Sequence, residues 1–171
     1  MSYCTTKNMD AIIKSHNATV LSPTPVTEPR LCSCPKAKKA DCPLGGKCLT
    51  RHIVYRADVI VEGRETKCYY GIADTTFKER YNNHTSSFRH RKNSTKTALS
   101  IHLWNLKDSG IEYTLKWSTA RHAAPYKCGT RKCDLCLTES AIIMAAEQRT
   151  LINKKAEVVK TCRHRTKFIF G

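Results

Sequence analysis

Two tyrosines, an arginine, a histidine and a glutamate stand out because together they could work on a phosphodiester. Tyr55 closes the run Ile53-Val54-Tyr55, and Tyr69 opens Tyr69-Tyr70-Gly71 fourteen residues later. Arg80 and His84 lie at i, i+4 in Phe77-Lys78-Glu79-Arg80-Tyr81-Asn82-Asn83-His84, so a helix would send both from one face. A phosphodiester transition state gathers negative charge on its oxygens, and a guanidinium offers two donors to them. A phenol accepts a proton only when perturbed, because its resting pKa is about 10. A nearby metal ion or arginine would perturb it. Glu139, in a stretch otherwise basic or apolar, is the carboxylate that a metal-dependent reaction needs. Each residue alone has a plainer explanation: sheet aromatics, a solvated arginine, a satisfied core histidine, an acid favoured near a helix N-terminus. Their joint order favours the chemical one.

The cysteines suggest a second chemistry. Cys32-Ser33-Cys34, Cys42 and Cys48 place four of the ten thiols within seventeen residues, with Pro35, Pro43 and Gly45-Gly46 supplying tight turns. Cys133-Asp134-Leu135-Cys136 is a CxxC knuckle, and Cys162-Arg163-His164 adds two further ligands. Zinc favours four such groups in a tetrahedron. The expectation is two structural zinc sites: Cys32, Cys34, Cys42 and Cys48, then Cys133, Cys136, Cys162 and His164, with Cys128 as an alternative to His164. Disulfides in a secreted chain are the rival explanation. Sequons at Asn17, Asn83 and Asn93 favour it weakly; the basic charge and the shortness of the apolar run Ala11-Ile12-Ile13 go against it. Cys4 and Cys68 suit buried free thiols.

Charge bounds the partner. Thirty Lys+Arg against fourteen Asp+Glu give +16 over 171 residues. That excess suits a polyanion, most often nucleic acid, although a solvated basic surface has the same composition. The run Arg89-His90-Arg91-Lys92 makes Arg89, Arg91 and Lys92 candidates for contacts with a phosphate backbone. No apolar run is long enough to span a bilayer, so a membrane partner is not expected.

The elements that would position these groups follow from periodicity. Residues 1–30, broken by Ser22-Pro23-Thr24-Pro25 and Glu28-Pro29, read as a flexible extension or linker, with a short helix allowed over Asp10–Ala18. Residues 31–50 form the cysteine-rich knuckle, and 51–171 the main domain. His52–Val61 and Thr66–Ala73 read as strands, joined at Glu62-Gly63-Arg64. A three-residue loop there would set Tyr55 opposite Gly71 and Tyr69 opposite Ala57, with both tyrosines on one sheet face. A helix capped by Asp74 or Thr75 carries Phe77, Arg80, Tyr81, His84 and Phe88. Ala98–Lys107 is a second helix, Ile111–Ser118 a third strand, and Thr138–Leu151 a third helix that Glu139 opens. Asn153–Val159 either continues it or forms a fourth. Phe88, Trp104 and Trp117 are assigned to the core. The order predicts an α+β fold, a small three-stranded antiparallel or mixed sheet flanked by helices.

Taken together, these motifs resemble the GIY-YIG nuclease superfamily. Tyr69-Tyr70-Gly71 matches its second strand motif, and Ile53-Val54-Tyr55 matches the first at the tyrosine; Arg80 with His84, Glu139 and Asn153 follow in the superfamily's order. The strings Cys42-Pro-Leu-Gly-Gly-Lys-Cys48, Thr76–His84, Leu99–Lys107 and Cys133-Asp-Leu-Cys-Leu-Thr-Glu139 are similar to the endonuclease domain of Penelope-like retroelements. The resemblance runs from about Cys32 to Phe168. It implies a DNA-nicking endonuclease dependent on Mg²⁺ or Mn²⁺, exposing a 3′ hydroxyl for reverse transcription. It implies Tyr55 as general base or water-orienting group, Tyr69 as its support, and Arg80 as the phosphate ligand. His84 would assist proton transfer or phosphate positioning, Glu139 would bind the metal, and Asn153 would support that site. It further implies DNA as partner, a reverse transcriptase domain and its RNA in a larger polypeptide, and a nuclear location. The rival class is a zinc-bearing nucleic-acid-binding module without catalysis.

Overall fold

Strand alternation brings the two tyrosines to one face. In the computed structural model, which describes Lys14, residues 31–35, 41–125 and 133–154, and Cys162, β1 (Ile53–Ile60) and β2 (Lys67–Ala73) form an antiparallel hairpin. Arg64 N–H donates to the Val61 carbonyl at 3.2 Å, and Gly63 takes φ +70° in the turn, a conformation open to glycine at no steric cost. Tyr55 lies opposite Gly71 and Ala57 opposite Tyr69, the register the three-residue turn predicts. The regular ladder stops at Val59–Lys67, so the strands are shorter than the hydrophobic runs that announced them. Opposed residues share a face, as do residues two apart, so Tyr55, Ala57, Tyr69 and Gly71 all project to one side.

β3 (Thr114–His122) pairs antiparallel with the other edge of β1, giving the order β2-β1-β3. Between Val54, paired with Arg121, and Tyr55, paired with Thr119, the register shifts by one, leaving Ala120 as a bulge. The strand expected at Ile111 begins three residues later. Ile111 is instead part of the cap of the helix before it: Gly110 N–H reaches Lys107 O at 3.0 Å and Ile111 N–H reaches Leu106 O at 2.9 Å, with Gly110 at φ +66°. That is a Schellman motif, with Ile111 as its apolar closing residue.

Three helices flank the sheet: α1 (Phe77–Arg89), α2 (Ala98–Asp108) and α3 (Asp134–Ala145). Leu99, Leu103 and Leu106 of α2 pack on Ala57 and Val59, while Phe77 of α1 joins Ile53, Tyr55, Cys42 and Cys48. Leu135 and Ile143 of α3 cover the opposite face at Val54, Tyr70 and Ile72. Phe77, Leu99, Leu103 and Leu135 are fully buried; each contributes on the order of 1.5–3 kcal/mol. Phe88 and Trp117 pack partly buried against this core. Trp104 is half-buried: its indole N–H donates to Ser87 O at 2.9 Å, and Arg91 and Lys107 lie over its ring.

The third helix differs most from expectation. It starts at Asp134 and stops at Ala145, where Ala146 turns extended. Its sides are apolar nearly all round, so periodicity marked neither end. Beyond it the backbone finds better partners at the free edge of β2: Cys68 N–H donates to Thr150 O at 2.7 Å, and Ile152 N–H to Cys68 O at 2.8 Å. Leu151 is therefore a sheet-edge residue and Glu139 lies in mid-helix. The expected helix over Asp10–Ala18 lies, apart from Lys14, outside the described residues, as does most of Asn153–Val159.

Candidate active site and cysteine clusters

The wall carrying Arg80 and His84 is built from the knuckle outward. The first N–H groups of any helix lack internal partners. In α1 they are met by Thr50 O, 2.9 Å from Phe77 N, and by Cys48 O, 2.8 Å from Lys78 N. Thr76 Oγ1 accepts from Glu79 N–H at 3.4 Å as N-cap. The cysteine-rich knuckle thus caps the helix and packs into the same core as Tyr55.

Arg80, Asn83, His84 and Ser87 then share one face of α1. His84 is buried among the rings of Tyr55, Tyr69, Phe88 and Trp117, with centroids 5.4–5.9 Å away. Its Nε2 lies 2.7 Å from Tyr55 Oη. Burial, then the positive field of Arg80, lowers the His84 pKa to about 4, so the ring is neutral near pH 7. A neutral ring protonated at Nδ1 accepts the Tyr55 proton at Nε2. The same end of the Tyr55 side chain requires Gly71: a Cβ there would meet Tyr55 Oη and lie 2.6 Å from Cζ. The glycine of Tyr69-Tyr70-Gly71 therefore makes room for the phenol of the neighbouring strand.

Tyr55, Tyr69, Gly71, Arg80, His84 and Glu139 line a single cleft of about 540 Å³. Glu139 reaches it from α3, is 9% exposed, and is the one carboxylate among the described residues of the lining. Arg80 is half-buried there, with no carboxylate within ion-pair distance among the described residues. Five of the six residues expected to do chemistry are thus brought together. Asn153 is not in the lining. Its Oδ1 accepts from Tyr70 N–H at 2.7 Å and its Nδ2 donates to Tyr70 O at 2.9 Å, so the amide acts as one more rung on β2.

Sequence reasoning missed Asn83, Ser86, Ser87, Lys96 and Thr97, which with Ile72 complete the lining. Ser87 and Asn83 were legible in principle from their spacing to Arg80 and His84; Lys96, one of thirty basic residues, carried no signal. Among the expected backbone contacts, Arg89 and Lys92 are exposed. Arg91 is held by Asp108 in a two-pronged ion pair at 2.8 and 3.0 Å, so a phosphate would have to compete for it.

Cys32, Cys34, Cys42 and Cys48 place four sulfurs within 4.8 Å of one another, with separations of 3.8, 3.8 and 3.6 Å for the pairs 32–42, 34–48 and 32–48. A tetrahedron with Zn–S bonds of ~2.3 Å has edges of ~3.8 Å, and disulfide sulfurs would stand at ~2 Å. The spacing fits one metal ion such as zinc. Without a cation the crowded thiols oppose ionising together: hydrogen bonding to Cys32 and burial push Cys34 up to about 12. At Cys42 burial also raises the pKa, but backbone bonds from Leu44 and Gly46 outweigh it and bring the thiol to about 7. Those amides would serve a thiolate ligand. Cys133, Cys136 and Cys162 form a second cluster, with Cys136 and Cys162 sulfurs 3.8 Å apart. Three ligands are in place for a metal; His164 and Cys128 lie outside the described residues.

Comparison with protein-family models, curated proteins and solved structures gives no match.

Proposed function

We propose that this chain is a Mg²⁺- or Mn²⁺-dependent endonuclease that nicks DNA, of the GIY-YIG kind and nearest to the Penelope-like endonucleases its motifs resemble. The observation that carries the reading is the Tyr55–His84 pair, 2.7 Å apart, lining the same cleft as Arg80 and Glu139. A phenol alone is a poor base at neutral pH. A phenol hydrogen-bonded to a neutral imidazole can pass its own proton on while taking one from water. In this mechanism Tyr55 takes the proton of the attacking water and hands its phenolic proton to His84 Nε2. Water oxygen bonds to phosphorus, the bond to the 3′ oxygen breaks, the leaving oxygen takes a proton from solvent and His84 later returns its own to solvent, so that a 3′ hydroxyl and 5′ phosphate result. Arg80 donates to the non-bridging oxygens as their charge grows. Tyr69, its ring centroid 6.5 Å from that of Tyr55, supports the phenol and the phosphate. Asn153 acts through Tyr70 as a positioning residue.

Glu139, the one carboxylate among the described residues of a cleft otherwise basic and neutral, suits Mg²⁺, which takes one or two carboxylates together with substrate oxygens. Glu139 would hold that ion, whose charge polarises the phosphate and the leaving oxygen when bound. In the retroelement setting the new 3′ end primes reverse transcription by a reverse transcriptase domain of the same polypeptide, which binds the RNA template, and the work is done in the nucleus. Zinc at the two cysteine clusters is structural in this reading.

Supercoiled plasmid with and without Mg²⁺ or Mn²⁺ is the test. Wild type should yield nicked circles only with the metal. Glu139→Ala should lose roughly 10³-fold or more in rate while keeping DNA affinity, since removing an acid does not weaken attraction to phosphate. Tyr55→Phe should lose roughly 10²–10⁴-fold. Metal-independent binding with no nicking in any preparation would favour the non-catalytic zinc module.

A further inference from the structure

Among the described residues of the cleft lining, Lys96 is the one charged residue that neither the motifs nor the mechanism uses. It lies between a 3-10 turn (Arg91–Asn93) and α2, exposed, its backbone N–H on Asn93 O at 3.2 Å. Its ammonium has no carboxylate within ion-pair distance among the described residues. It lines the same cleft as Arg80, but at the other end of α1. The hydrogen bonds fix that placement: Ser87 Oγ meets Ser100 Oγ at 2.7 Å, and Ser100 Oγ meets Thr97 Oγ1 at 2.8 Å, so Lys96 flanks the Ser87 turn.

Resting on the nuclease reading, we propose that Lys96 binds a phosphate flanking the scissile one, making the cleft a track for a polynucleotide strand. Seven residues of helix separate Arg80 from Ser87, or about 10 Å at ~1.5 Å per residue. Phosphates of a duplex strand rise ~3.4 Å each along the axis but stand roughly twice that apart along the strand, so a span of that size covers one or two phosphates. Between them Asn83 and Ser86 offer neutral hydrogen-bonding groups from α1. A small phosphodiester offers one phosphate, whereas a strand offers successive phosphates to Arg80 and Lys96 at once. Lys96 is thus a positioning residue that selects polymer over small ester, and its effect falls on binding.

The test uses the full chain and a duplex with a mapped nick site, carrying one neutral methylphosphonate at a time over three positions on either side. In wild type, one flanking position should cost roughly five- to tenfold in kcat/KM, mostly in KM. Lys96→Ala should show a loss of that size on the unmodified duplex, no further loss at that one position, and a salt slope shallower by about one. Lys96→Arg should recover most of it. The same series read as equilibrium binding on Glu139→Gln protein needs no catalysis and should show the same coupling. If Lys96→Ala responds to every methylphosphonate as wild type does, in both assays, Lys96 touches no phosphate and the inference falls. Absence of nicking with the binding coupling intact would instead overturn the nuclease reading alone.

Discussion

Cys32, Cys34, Cys42 and Cys48 hold one wall of the cleft through backbone as well as sulfur. Cys48 and Thr50 carbonyls cap α1, Lys78 Nζ donates to Ser33 Oγ at 2.8 Å, and Cys42 and Cys48 share a core with Tyr55 and Phe77. Cys133, Cys136 and Cys162 hold the other wall differently. They meet at the start of α3, Cys136 about one helical turn before Glu139, and Cys162 follows in sequence the strip at Leu151 that extends β2. Arg80 and His84 therefore stand on a wall with many redundant ties, whereas Glu139 stands on a helix whose N-cap, Cys133, is itself one of the clustered thiols. The first cluster belongs to the fold of the domain; the second governs where one carboxylate sits.

That contrast can be broken most sharply at the sulfurs. Intact protein should contain about two zinc atoms by elemental analysis. Cys48→Ser should lower thermal stability by far more than Cys136→Ser, because it removes a fully buried ligand from the core around Tyr55 and Phe77. Cys136→Ser should keep most of the cooperative melt yet lose nicking by at least tenfold, with DNA affinity retained. Equal loss of stability in both variants would erase the distinction between the walls. Gly71→Ala comes next: the added methyl meets the Tyr55 ring, so overpacking should cost about 1–3 kcal/mol. Nicking should fall with it, since the 2.7 Å bond to His84 is what moves.

Acid should loosen the α1 wall through His84. Its folded pKa of about 4 lies below the ordinary 6.5, so the unfolded chain binds more protons between those values. Stability from this group is complete above about pH 6.5 and falls as pH drops toward 4, by about 3 kcal/mol across the window. Denaturant melts at stepped pH check this, and His84→Gln should flatten the dependence. Asn153→Ala should cost about 2 kcal/mol by leaving Tyr70 N–H and C=O unpaired at a buried edge. Its effect on nicking should be smaller than that of Gly71→Ala. The smallest change is expected at Arg91. Arg89→Ala with Lys92→Ala should flatten the salt dependence of DNA binding more than Arg91→Ala alone, because Asp108 already holds Arg91.

Much of the site was legible as spacing. The tyrosines' shared face follows from strand alternation and an odd turn, and Arg80 with His84 from helical periodicity; both are local rules that hold wherever the segment packs. The grouping of Cys32, Cys34, Cys42 and Cys48 was legible for the same reason, since seventeen residues and their turns leave few other arrangements. Other features needed the third dimension. The end of α3 was decided by competition with the free edge of β2, which no reading of an apolar helix reveals. Asn153 pairs with a backbone eighty-three residues away, and its amide could equally have faced the cleft. Gly71 is required by the ring of another strand, and Lys96 is singled out from thirty basic residues only because two serines and a threonine hold its loop beside α1. The sequence by itself determined which residue types could act and which shared a face, because those follow from torsion periodicity. Only the tertiary structure decided which of them meet, because contacts between distant segments are set by packing and by the need to satisfy every buried polar group.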